Sequence, residues 1–565
     1  MILFKPTGTL DISTAATDLP AESDGNKVYS GAMQRCKNLV LERNAIACTR
    51  HGSSRATANA LFDIANFIIE QGGDRYIFGG TYIYKNEVSI ATGLTDAQWS
   101  GMKYNAFNDT TQRIFALNGT DRKKINGTTV SEWGITPPSV APTLGVGGGT
   151  GLTGTYKVKY TYAVKSGSTV ITESNPSGAS SGQALSNQDL EVNWTASSDS
   201  QVTHVRIYRT LPSGDIYYHD QDVAIGAVTI DTSTADTALG TEVATNHDRP
   251  PLGSIVIGPL YNGICFIAIG NLLYWCLAKQ PEYWPVNNFI EVGPPQFAIK
   301  AMVVLDGQLY CLTKNQIWWI QGTTSGAFSP VPFESLAGAP HQYGAVSVKG
   351  HGIYHIGIDG IYLYSNGKDR KVTQSNFEPI FPDAGSNNGM STNGVQPVPA
   401  SSTSLWLHHF QNRLYFHYSN GNVIVSDLET QKAWYHKYDI GLAAPATDRT
   451  NDQFLVGDNS KYVRQIEDPD STDDVGTGID WEIQTMDYTL QTRRHFPRWV
   501  KYDVDVDNAT TVEGKIIFDG VIHHTHSITQ SRNTARRLID TGNANKCSMR
   551  MTGTGPAKIY AMESE

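Results

Sequence analysis

Three histidines near the end of the chain have a spacing that could bind a metal ion. They are His523, His524 and His526, within the sequence HHTH. In an extended strand His524 and His526 project from the same face, because successive side chains alternate between the two faces. Imidazole is a good ligand for iron, nickel and zinc when further groups complete the site. The alternative is a histidine-rich turn that ligates nothing. We predict no metal and no cofactor for the chain, and the question stays open for these histidines.

Asp503, Asp505 and Asp507 repeat at every second position and resemble part of a calcium-binding loop. Such a loop needs a glycine at its sixth position and a glutamate at its twelfth. Here Asn508 and Gly514 occupy those positions. The aspartates alternate with valines, which is typical of a strand with one apolar and one solvated face. We therefore predict the solvated face of a strand.

Two short motifs resemble parts of hydrolase sites, but neither has the surroundings it needs. Residues 178–182 (GASSG) match G-x-S-x-G, yet a nucleophile elbow requires a strand before the serine and a helix after it. Ser180 lies instead in a Ser/Gly-rich run, which predicts a flexible connection. Asp427 lies in SDLE, which lacks the glycine of an Asp-box, so it more simply initiates a turn. We predict no catalysis.

Two composition changes predict boundaries between domains. Residues 136–154 (TPPSVAPTLGVGGGTGLTG) are rich in Pro and Gly, as an exposed linker is. Their glycines lack the GKS/T ending of a phosphate-binding loop, and a strand-like segment follows them. Residues 467–474 (EDPDSTDD) are acidic and interrupted by proline, which predicts a solvated linker. Calcium binding is the alternative for this run, but its spacing does not match a calcium loop.

A repeated hairpin unit organises much of the chain and is clearest at residues 350–368 (GHGIYHIGIDGIYLYSNGK). The dipeptide Asp359-Gly360 predicts a tight turn with positive φ angles between two apolar strands. Residues 305–320 and 410–438 repeat the scheme, the latter with Asn420-Gly421 at its turn. Similar units every 40 to 50 residues or so are typical of a β-propeller or a related array.

Composition supports a large all-β protein and limits its partners. The chain has 565 residues, a mass of 61.8 kDa, 53 Gly, 27 Tyr and a formal net charge of −10. The negative charge argues against a protein that grips nucleic acid by its phosphates. No apolar stretch is long enough to span a membrane, and the first residues lack the features of a signal peptide. The cysteines form no CxxC pair, which predicts reduced structural thiols at positions 36, 48, 265, 276, 311 and 547.

The predicted fold class is all-β: a propeller-like array of antiparallel hairpins with an inserted fibronectin- or immunoglobulin-like β-sandwich and a C-terminal β-sandwich. We predict an extended N-terminal arm over residues 1–36. The hairpin array then occupies residues 37–135 and 251–467. The inserted sandwich spans residues 136–250, and the C-terminal docking sandwich spans residues 475–565.

Several segments in order resemble one family. These are KNL followed by TRHG near residues 37–52, TYKVKYTYAV and TESNPSG, THVRIYRTLPSGDIYYH, and SNGNVIVSDLETQKAW at 419–434. With a C-terminal sandwich, this combination resembles the tail nozzle or hub proteins of short-tailed double-stranded DNA bacteriophages, also called DNA stabilisation proteins. The resemblance covers most of the chain and rests on the order of its segments.

The resemblance implies a structural virion protein that is not an enzyme. It implies a homo-oligomer, typically of six copies, below the portal, with an adaptor ring above, fibres or spikes beside it and a needle or plug below. Such a ring retains the packaged DNA and conducts it during ejection. The implied location is the virion tail, after assembly in the host cytoplasm.

The rival prediction is a host-surface adhesin or a carbohydrate-active β-propeller, because such folds also bind and cleave sugars. A glycosidase needs two carboxylates in a shared cleft, and no such pair is evident in the sequence. If the chain works by assembly, exposed aromatics are the best anchors, and the candidates are Trp318, Trp319, Trp434 and Tyr435. The alternative for each is packing in the core.

Overall fold

The computed structural model describes residues 1–24, 27–105, 109–253, 256–258, 260–323, 327–373, 376–381, 393–399, 405–489, 498–506, 511–529, 536–539 and 544–565. The regular structure in these residues is β-strand, apart from two 3-10 turns at Asp236–Ala238 and Glu378–Ile380. Within the same residues, no helix is long and apolar enough to cross a membrane. The predicted all-β class is confirmed.

Four-stranded antiparallel units, which we call blades 1 to 7 in chain order, form the array. Blade 1 contains Phe67–Gln71, Asp74–Gly79, Tyr82–Lys85 and Val88–Ala91, and blade 2 contains Ser100–Tyr104, Arg113–Leu117, Arg122–Asn126 and Thr129–Glu132. Blade 3 contains Val256–Ile257, Phe266–Ile269, Leu272–Trp275 and Phe289–Glu291, and blade 4 contains Ile299–Leu305, Gln308–Thr313, Ile317–Gln321 and Ser329–Pro332. Blade 5 contains Ala345–Val348, Gly352–Ile356, Ile361–Ser365 and Lys368–Lys371. Blade 6 contains Trp406–Phe410, Arg413–Ser419, Asn422–Asp427 and Ala433–Lys437. Blade 7 contains Leu442–Asp448, Gln453–Asp458, Val463–Asp468 and Gly52–Arg55. The predicted propeller-like array of hairpins is confirmed.

The chain divides into two compact units. The first contains Met1–Ser89, Leu312–Ile317 and Pro332–Glu565, and the second contains Ile90–Cys311 and Trp318–Val331. In the first unit the opening strands of blades 5, 6, 7 and 1 lie side by side in that order. In the second unit the opening strand of blade 3 lies beside those of blades 2 and 4. Adjacent opening strands are the arrangement expected of propeller-like blades.

Local turn chemistry explains some hairpins and not others. Asn420 and Gly421 have φ angles of 44° and 76°, as the predicted tight turn requires. The turn predicted at Asp359-Gly360 is wrong, because neither residue has a positive φ. Instead, residues 357–360 form a longer loop in which the Asp359 carboxylate accepts hydrogen bonds from Tyr362 (2.7 Å) and Lys371 (3.1 Å). The side chains of residues 361–364 are all buried, so both faces of this strand are covered.

Blade 7 is completed by a strand from far upstream. Its first three strands follow each other in sequence, and Gly52–Arg55 then pairs antiparallel with Val463–Asp468. The Cβ of any other residue at position 52 would lie 2.0 Å from the Asp473 carbonyl oxygen, so the close approach requires glycine. The start of the chain is thereby fastened to the end of the array.

The insert, residues 143–232, contains two main sheets and one additional pair of strands. The first sheet contains Thr143–Val146, Leu190–Asn193 and Thr229–Thr232, and the second contains Thr169–Glu173, Val158–Ser166, His204–Thr210 and Tyr217–Ala224. The additional pair is Leu152–Tyr156 with Gln183–Gln188. Side chains from these strands share one apolar core that includes Tyr160, Val192 and Ile207. Its finer classification as fibronectin- or immunoglobulin-like stays a prediction.

Two sheets near the chain ends, here called the terminal double sheet, share the main core of the first unit. The first sheet has the order Glu22–Asp24, Lys27–Ser30, Ile2–Phe4, Ala557–Ser564, Trp499–Val506 and Arg536–Leu538, with Leu39–Leu41 and Ala47–Thr49 attached. The second continues blade 6 as Met33–Lys37, Asp480–Thr485, Lys546–Thr554, Thr511–Phe518 and Val521–Ile528, with Tyr488–Thr489 attached. Asp473–Asp474 and Thr477–Gly478 extend the sheet of blade 7.

Residues 1–36, which we predicted as an extended arm, contribute strands to both of these sheets. Ile2–Phe4 pairs antiparallel with Ala557–Ser564, the last strand of the chain. Phe4, Leu10 and Ile12 are buried in the core of the first unit. These apolar residues lie in short segments separated by polar and turn residues, and so a local period does not reveal their burial.

Candidate functional site: the open edge of the terminal double sheet

The strand Trp499–Val506 runs through the first sheet and shows how the sequence builds this site. Its side chains alternate between buried and partly exposed along its whole length. Tyr502 and Val504 point into the core, whereas Asp503 and Asp505 lie on the other face, as we predicted for a strand with one solvated face. Asp507 of the same predicted series, and Asn508, lie outside the described residues.

Among the described residues, each sheet of the double sheet ends on a strand that is paired on one side only. These strands are Val521–Ile528 and Arg536–Leu538. Val521, Ile522 and Leu538 expose 70%, 48% and 84% of their surface. An exposed edge strand is a template for pairing with another chain, and proteins normally protect it with charge, proline or a covering segment. The edge carries these exposed apolar side chains beside the histidines and the charged Arg536 and Arg537, and we call these two strands the open edge.

The three histidines lie on this edge, in a strand and not in the turn that was the alternative. His524 pairs with Ile516 and His526 with Gly514, and both partners belong to the core-facing set of their strand. The two imidazole rings are 6.0 Å apart between centroids and nearly parallel, at 18°. His523 is exposed beside a register shift of the strand pair, and its ring centroid lies 4.8 Å from that of His524. The predicted same-face arrangement of His524 and His526 is confirmed.

Tyr502 lies beside His526. A Cβ at Gly514 would lie 2.4 Å from Cζ of Tyr502, so the phenol ring occupies the space that a side chain there would take. The ring centroids of Tyr502 and His526 are 6.1 Å apart. Burial raises the pKa of the Tyr502 hydroxyl, which therefore stays protonated at neutral pH. Burial also lowers the pKa of His526, although a hydrogen bond with the backbone of Leu538 opposes that effect.

A buried ion pair anchors the terminal double sheet to blade 7. The guanidinium of Arg50 grips the carboxylate of Asp474 through two contacts, one of them a 3.0 Å bond from Nη1 to Oδ1. Ser53 also donates to Asp474 Oδ1, at 3.0 Å. Both charged residues are almost completely buried. A buried charge of this kind is stable only while its partner is present.

Glu467 lies in the same region and is buried as well. The Tyr438 hydroxyl donates to its Oε1 at 2.6 Å, and the His436 ring lies 3.2 Å from the same atom. Burial alone would raise the pKa of the Glu467 carboxyl, but contacts with His436, Arg50 and Tyr438 lower it to about 2. The prediction that residues 467–474 form a solvated linker is therefore wrong at both ends of the run, whereas Pro469 and Asp470 within it are exposed. Glu467, Asp468 and Asp474 are buried because they have partners, which the local sequence does not show.

Ser180 belongs to an ordered ladder in the insert, so the predicted flexible connection is also wrong. Ser174, Ser177 and Ser180 follow the free side of Val158–Ser166 and accept hydrogen bonds from the backbone N–H groups of alternate residues there, at 2.9 to 3.1 Å. Their own N–H groups donate to the carbonyls of those residues at 2.8 to 2.9 Å. These serines cover a strand edge, and the hydroxyl of Ser180 is engaged in that task.

The glycine cluster forms part of the insert. The strand Thr143–Val146 already lies within the predicted linker of residues 136–154. Gly147 and Gly149 pass so close to Asp189 that a Cβ at Gly149 would meet its carboxylate at 1.9 Å. Their small size therefore serves packing against a neighbouring strand end.

The remaining predicted residues have structural roles. Asp427 accepts hydrogen bonds from the N–H groups of Glu429 (3.0 Å) and Thr430 (2.8 Å), which confirms that it initiates a turn. Trp434 and Tyr435 are buried, so they are wrong as exposed anchors, whereas Trp318 and Trp319 are half-buried. The cysteines at positions 36, 48, 265, 276, 311 and 547 carry free thiols. Burial raises the pKa of Cys276 to about 12, in keeping with a packing role.

Sequence reasoning missed Arg50 and the open edge itself. Arg50 is an unremarkable cation in TRHG, and its partner Asp474 lies 424 positions further on. Val521 begins a strand and Leu538 ends one, each beside polar residues, and their exposure could have been suspected from these positions. No local sequence rule, however, distinguishes them from core residues.

The comparisons with known proteins give no family. No protein-family model matches the chain, and no curated protein matches it. Among solved structures it is similar to the computationally designed Ika8 protein, with 8% identity and a TM-score of 0.34 over 73% of this chain and 99% of that one. It is also similar to BamB from Moraxella catarrhalis, with 10% identity and a TM-score of 0.31 over 74% and 97%. At these TM-scores neither likeness carries an argument about function.

Proposed function

We propose that this chain is a structural protein that works by assembly, and specifically the tail nozzle or hub of a short-tailed double-stranded DNA phage. The observation that carries the proposal is the open edge, where strands that pair on one side only within the described part of the chain carry exposed Val521, Ile522 and Leu538. The order of sequence segments that resemble this family supports the same function. No catalytic role is proposed.

An edge of this kind favours a protein partner. Apolar side chains beside unpaired strand edges become stable when another chain covers them, since apolar surface is removed from water and backbone groups gain partners. We propose that neighbouring copies meet through the open edge in a ring of about six. An adaptor ring, fibres or spikes, and a needle or plug would bind other surfaces of the same ring.

The charge of the chain suits a conduit for DNA. Its formal net charge is −10, and an acidic wall repels phosphates that a basic wall would hold. Passage of the genome requires weak contact, in contrast to a protein that binds DNA tightly. We propose a location in the virion tail, reached by assembly in the host cytoplasm.

The experiment is to measure the mass and shape of the protein by light scattering and negative-stain imaging, alone and with a candidate adaptor. The proposal expects rings with an open centre. A chain that stays monomeric with every adaptor tested, and binds cell-surface glycan, would contradict it and favour an adhesin.

A further inference from the structure

The loop at residues 56–66 holds one phenylalanine of blade 1 at the surface. The Phe62 side chain is 66% exposed, yet its ring stacks on Tyr82 with a centroid distance of 4.7 Å and an interplanar angle of 20°. Tyr82 stacks in turn on Tyr84, at 5.8 Å and 26°. Tyr84 belongs to the apolar core of the blade. The three rings therefore form a ladder from that core to solvent, and we call it the aromatic ladder.

The backbone of Phe62 is fixed at both of its polar groups. Its N–H donates to the Tyr84 hydroxyl at 2.9 Å, and its carbonyl accepts a hydrogen bond from Lys461 Nζ at 2.9 Å. The preceding Leu61 is buried, and its N–H donates to the carbonyl of Lys461 at 2.8 Å. An aromatic side chain held in this way loses little conformational freedom when a partner covers it, and such residues are typical anchors of interfaces.

Two carboxylates lie beside the ladder. Asp63 follows Phe62 in the loop, and the Glu87 carboxylate accepts hydrogen bonds from the N–H groups of residues 58 and 59, at 2.8 and 3.2 Å. Burial raises the pKa of Glu87, but these bonds outweigh it and lower that pKa, so Glu87 is ionised at neutral pH. Lys461 offsets one of the two charges. A flat aromatic face beside carboxylates favours a guanidinium, which is a planar cation that stacks on rings and pairs with carboxylates.

The open edge presents a guanidinium of this kind. The Arg536 guanidinium lies over the ring of its own Trp499, with 4.2 Å between Cζ and the ring centroid. Arg536 is nevertheless exposed, and Arg537 and Leu538 follow it on the same strand. Because Trp499 covers one face of the planar group, a second aromatic ring can stack on the opposite face.

A cyclic ring of more than two copies joins each subunit to the next through two different surfaces, since a contact between identical surfaces closes at two copies. The open edge therefore needs a complementary surface elsewhere on the chain. We propose that this surface is the aromatic ladder of the neighbouring copy, with Phe62 on the outer face of the Arg536 guanidinium and Asp63 and Glu87 beside the two arginines. The inference rests on the proposed function, from which it takes the ring, and adds the surface that the open edge meets.

The test begins with light scattering of single variants, under the conditions in which the wild type assembles. Phe62→Lys replaces the exposed ring by a cation that opposes the arginines, and it should stay a folded monomer. Phe62→Trp keeps a stacking ring and should assemble as the wild type does. Ile358→Lys is the matched control, because Ile358 is also 66% exposed in the same unit, and it should assemble as well.

An equimolar mixture of two variants then shows whether the two surfaces meet. Phe62→Lys keeps an intact open edge, and Val521→Lys/Leu538→Lys keeps an intact ladder. The mixture should form heterodimers, whereas each variant alone stays monomeric, because one intact contact of the ring can still form. Absence of heterodimers, with both variants folded, would overturn the inference.

The same measurements separate this inference from the proposed function. Rings of wild-type mass formed by Phe62→Lys would overturn the role of the aromatic ladder and leave the open edge and the ring in place. A wild type that stays monomeric with every adaptor tested would contradict the proposed function itself, and the inference would fall with it.

Discussion

The insert and the terminal double sheet differ in how they treat strand edges that no regular strand covers. Both contain two sheets around a shared core, and both have strands with a side that no regular strand covers. In the insert, Ser174, Ser177 and Ser180 satisfy that side with hydroxyls and backbone groups. In the terminal double sheet the corresponding side carries Val521 and Leu538, exposed to solvent.

The proposed function assigns the two edges different roles. An unprotected edge strand can pair with another chain, and the three serines of the insert occupy their edge with hydroxyls and backbone groups. The open edge has no such cover among the described residues, and we propose that a neighbouring copy covers it. The buried pair Arg50 and Asp474 provides an electrostatic support at blade 7, in the same unit.

The largest expected effect is on that support. Asp474→Ala leaves the Arg50 guanidinium buried without its carboxylate, and we expect a loss of about 3–5 kcal/mol in the free energy of unfolding. Urea denaturation followed by tryptophan fluorescence measures it. The control is Asp215→Ala, which removes a carboxylate that is 88% exposed and paired with Lys157. That change should cost less than about 1 kcal/mol, and equal losses in both variants would contradict the anchoring role of Asp474.

Acid should weaken the same support. Glu467 has its pKa lowered from an ordinary 4.5 to about 2, so it binds fewer protons when folded than when unfolded in that range. The stabilisation is present above pH 4.5 and is lost as the pH falls toward 2, by up to about 3 kcal/mol at roughly 1.4 kcal/mol per pKa unit. Thermal unfolding at pH 5, 4 and 3 tests this. In Glu467→Gln the slope over this range should be shallower, and an unchanged slope would exclude Glu467 as its source.

The protected edge should be sensitive to loss of a single hydroxyl. Ser177→Ala leaves the buried N–H of Tyr160 without its side-chain acceptor, and we expect a cost of about 1–3 kcal/mol. Ser181→Ala is the matched control, because Ser181 is exposed and close in sequence. Chemical denaturation measures the free energy of unfolding of both variants. Equal losses in the two would contradict a stabilising role for the serine ladder.

The smallest effect on stability is expected at the open edge. Val521→Lys and Leu538→Lys place charge on exposed positions, which usually changes stability by no more than about 0.5 kcal/mol. Their effect on association should be large, because a lysine opposes the pairing of edges. Ile358→Lys is the control, since Ile358 is 66% exposed in a loop of the same unit and not on an edge strand.

Local sequence patterns predicted the features that depend on neighbouring residues alone. The alternation at Trp499–Val506, the turns at Asn420-Gly421 and Asp427, and the all-β array all follow from the spacing of side chains and turn residues. The period of a strand likewise predicted that His524 and His526 lie on the same face.

Contacts between distant segments could not be predicted in this way. Gly52–Arg55 completes blade 7, and Arg50 neutralises Asp474, because the fold closes over more than 400 positions of sequence. The acidic run at 467–474 resembles a solvated linker in isolation, and only its partners make burial favourable. The position of Tyr502 beside the histidines depends likewise on how two sheets face each other.

The most direct test of the account is the mass in solution, by light scattering, of the wild type, the double variant Val521→Lys/Leu538→Lys and the control Ile358→Lys. The account predicts an assembly of about six copies, alone or on the adaptor, for the wild type and for Ile358→Lys. The double variant should stay a folded monomer with the same unfolding midpoint. Assembly of the double variant to the same mass as the wild type would contradict the claim that the open edge is the interface.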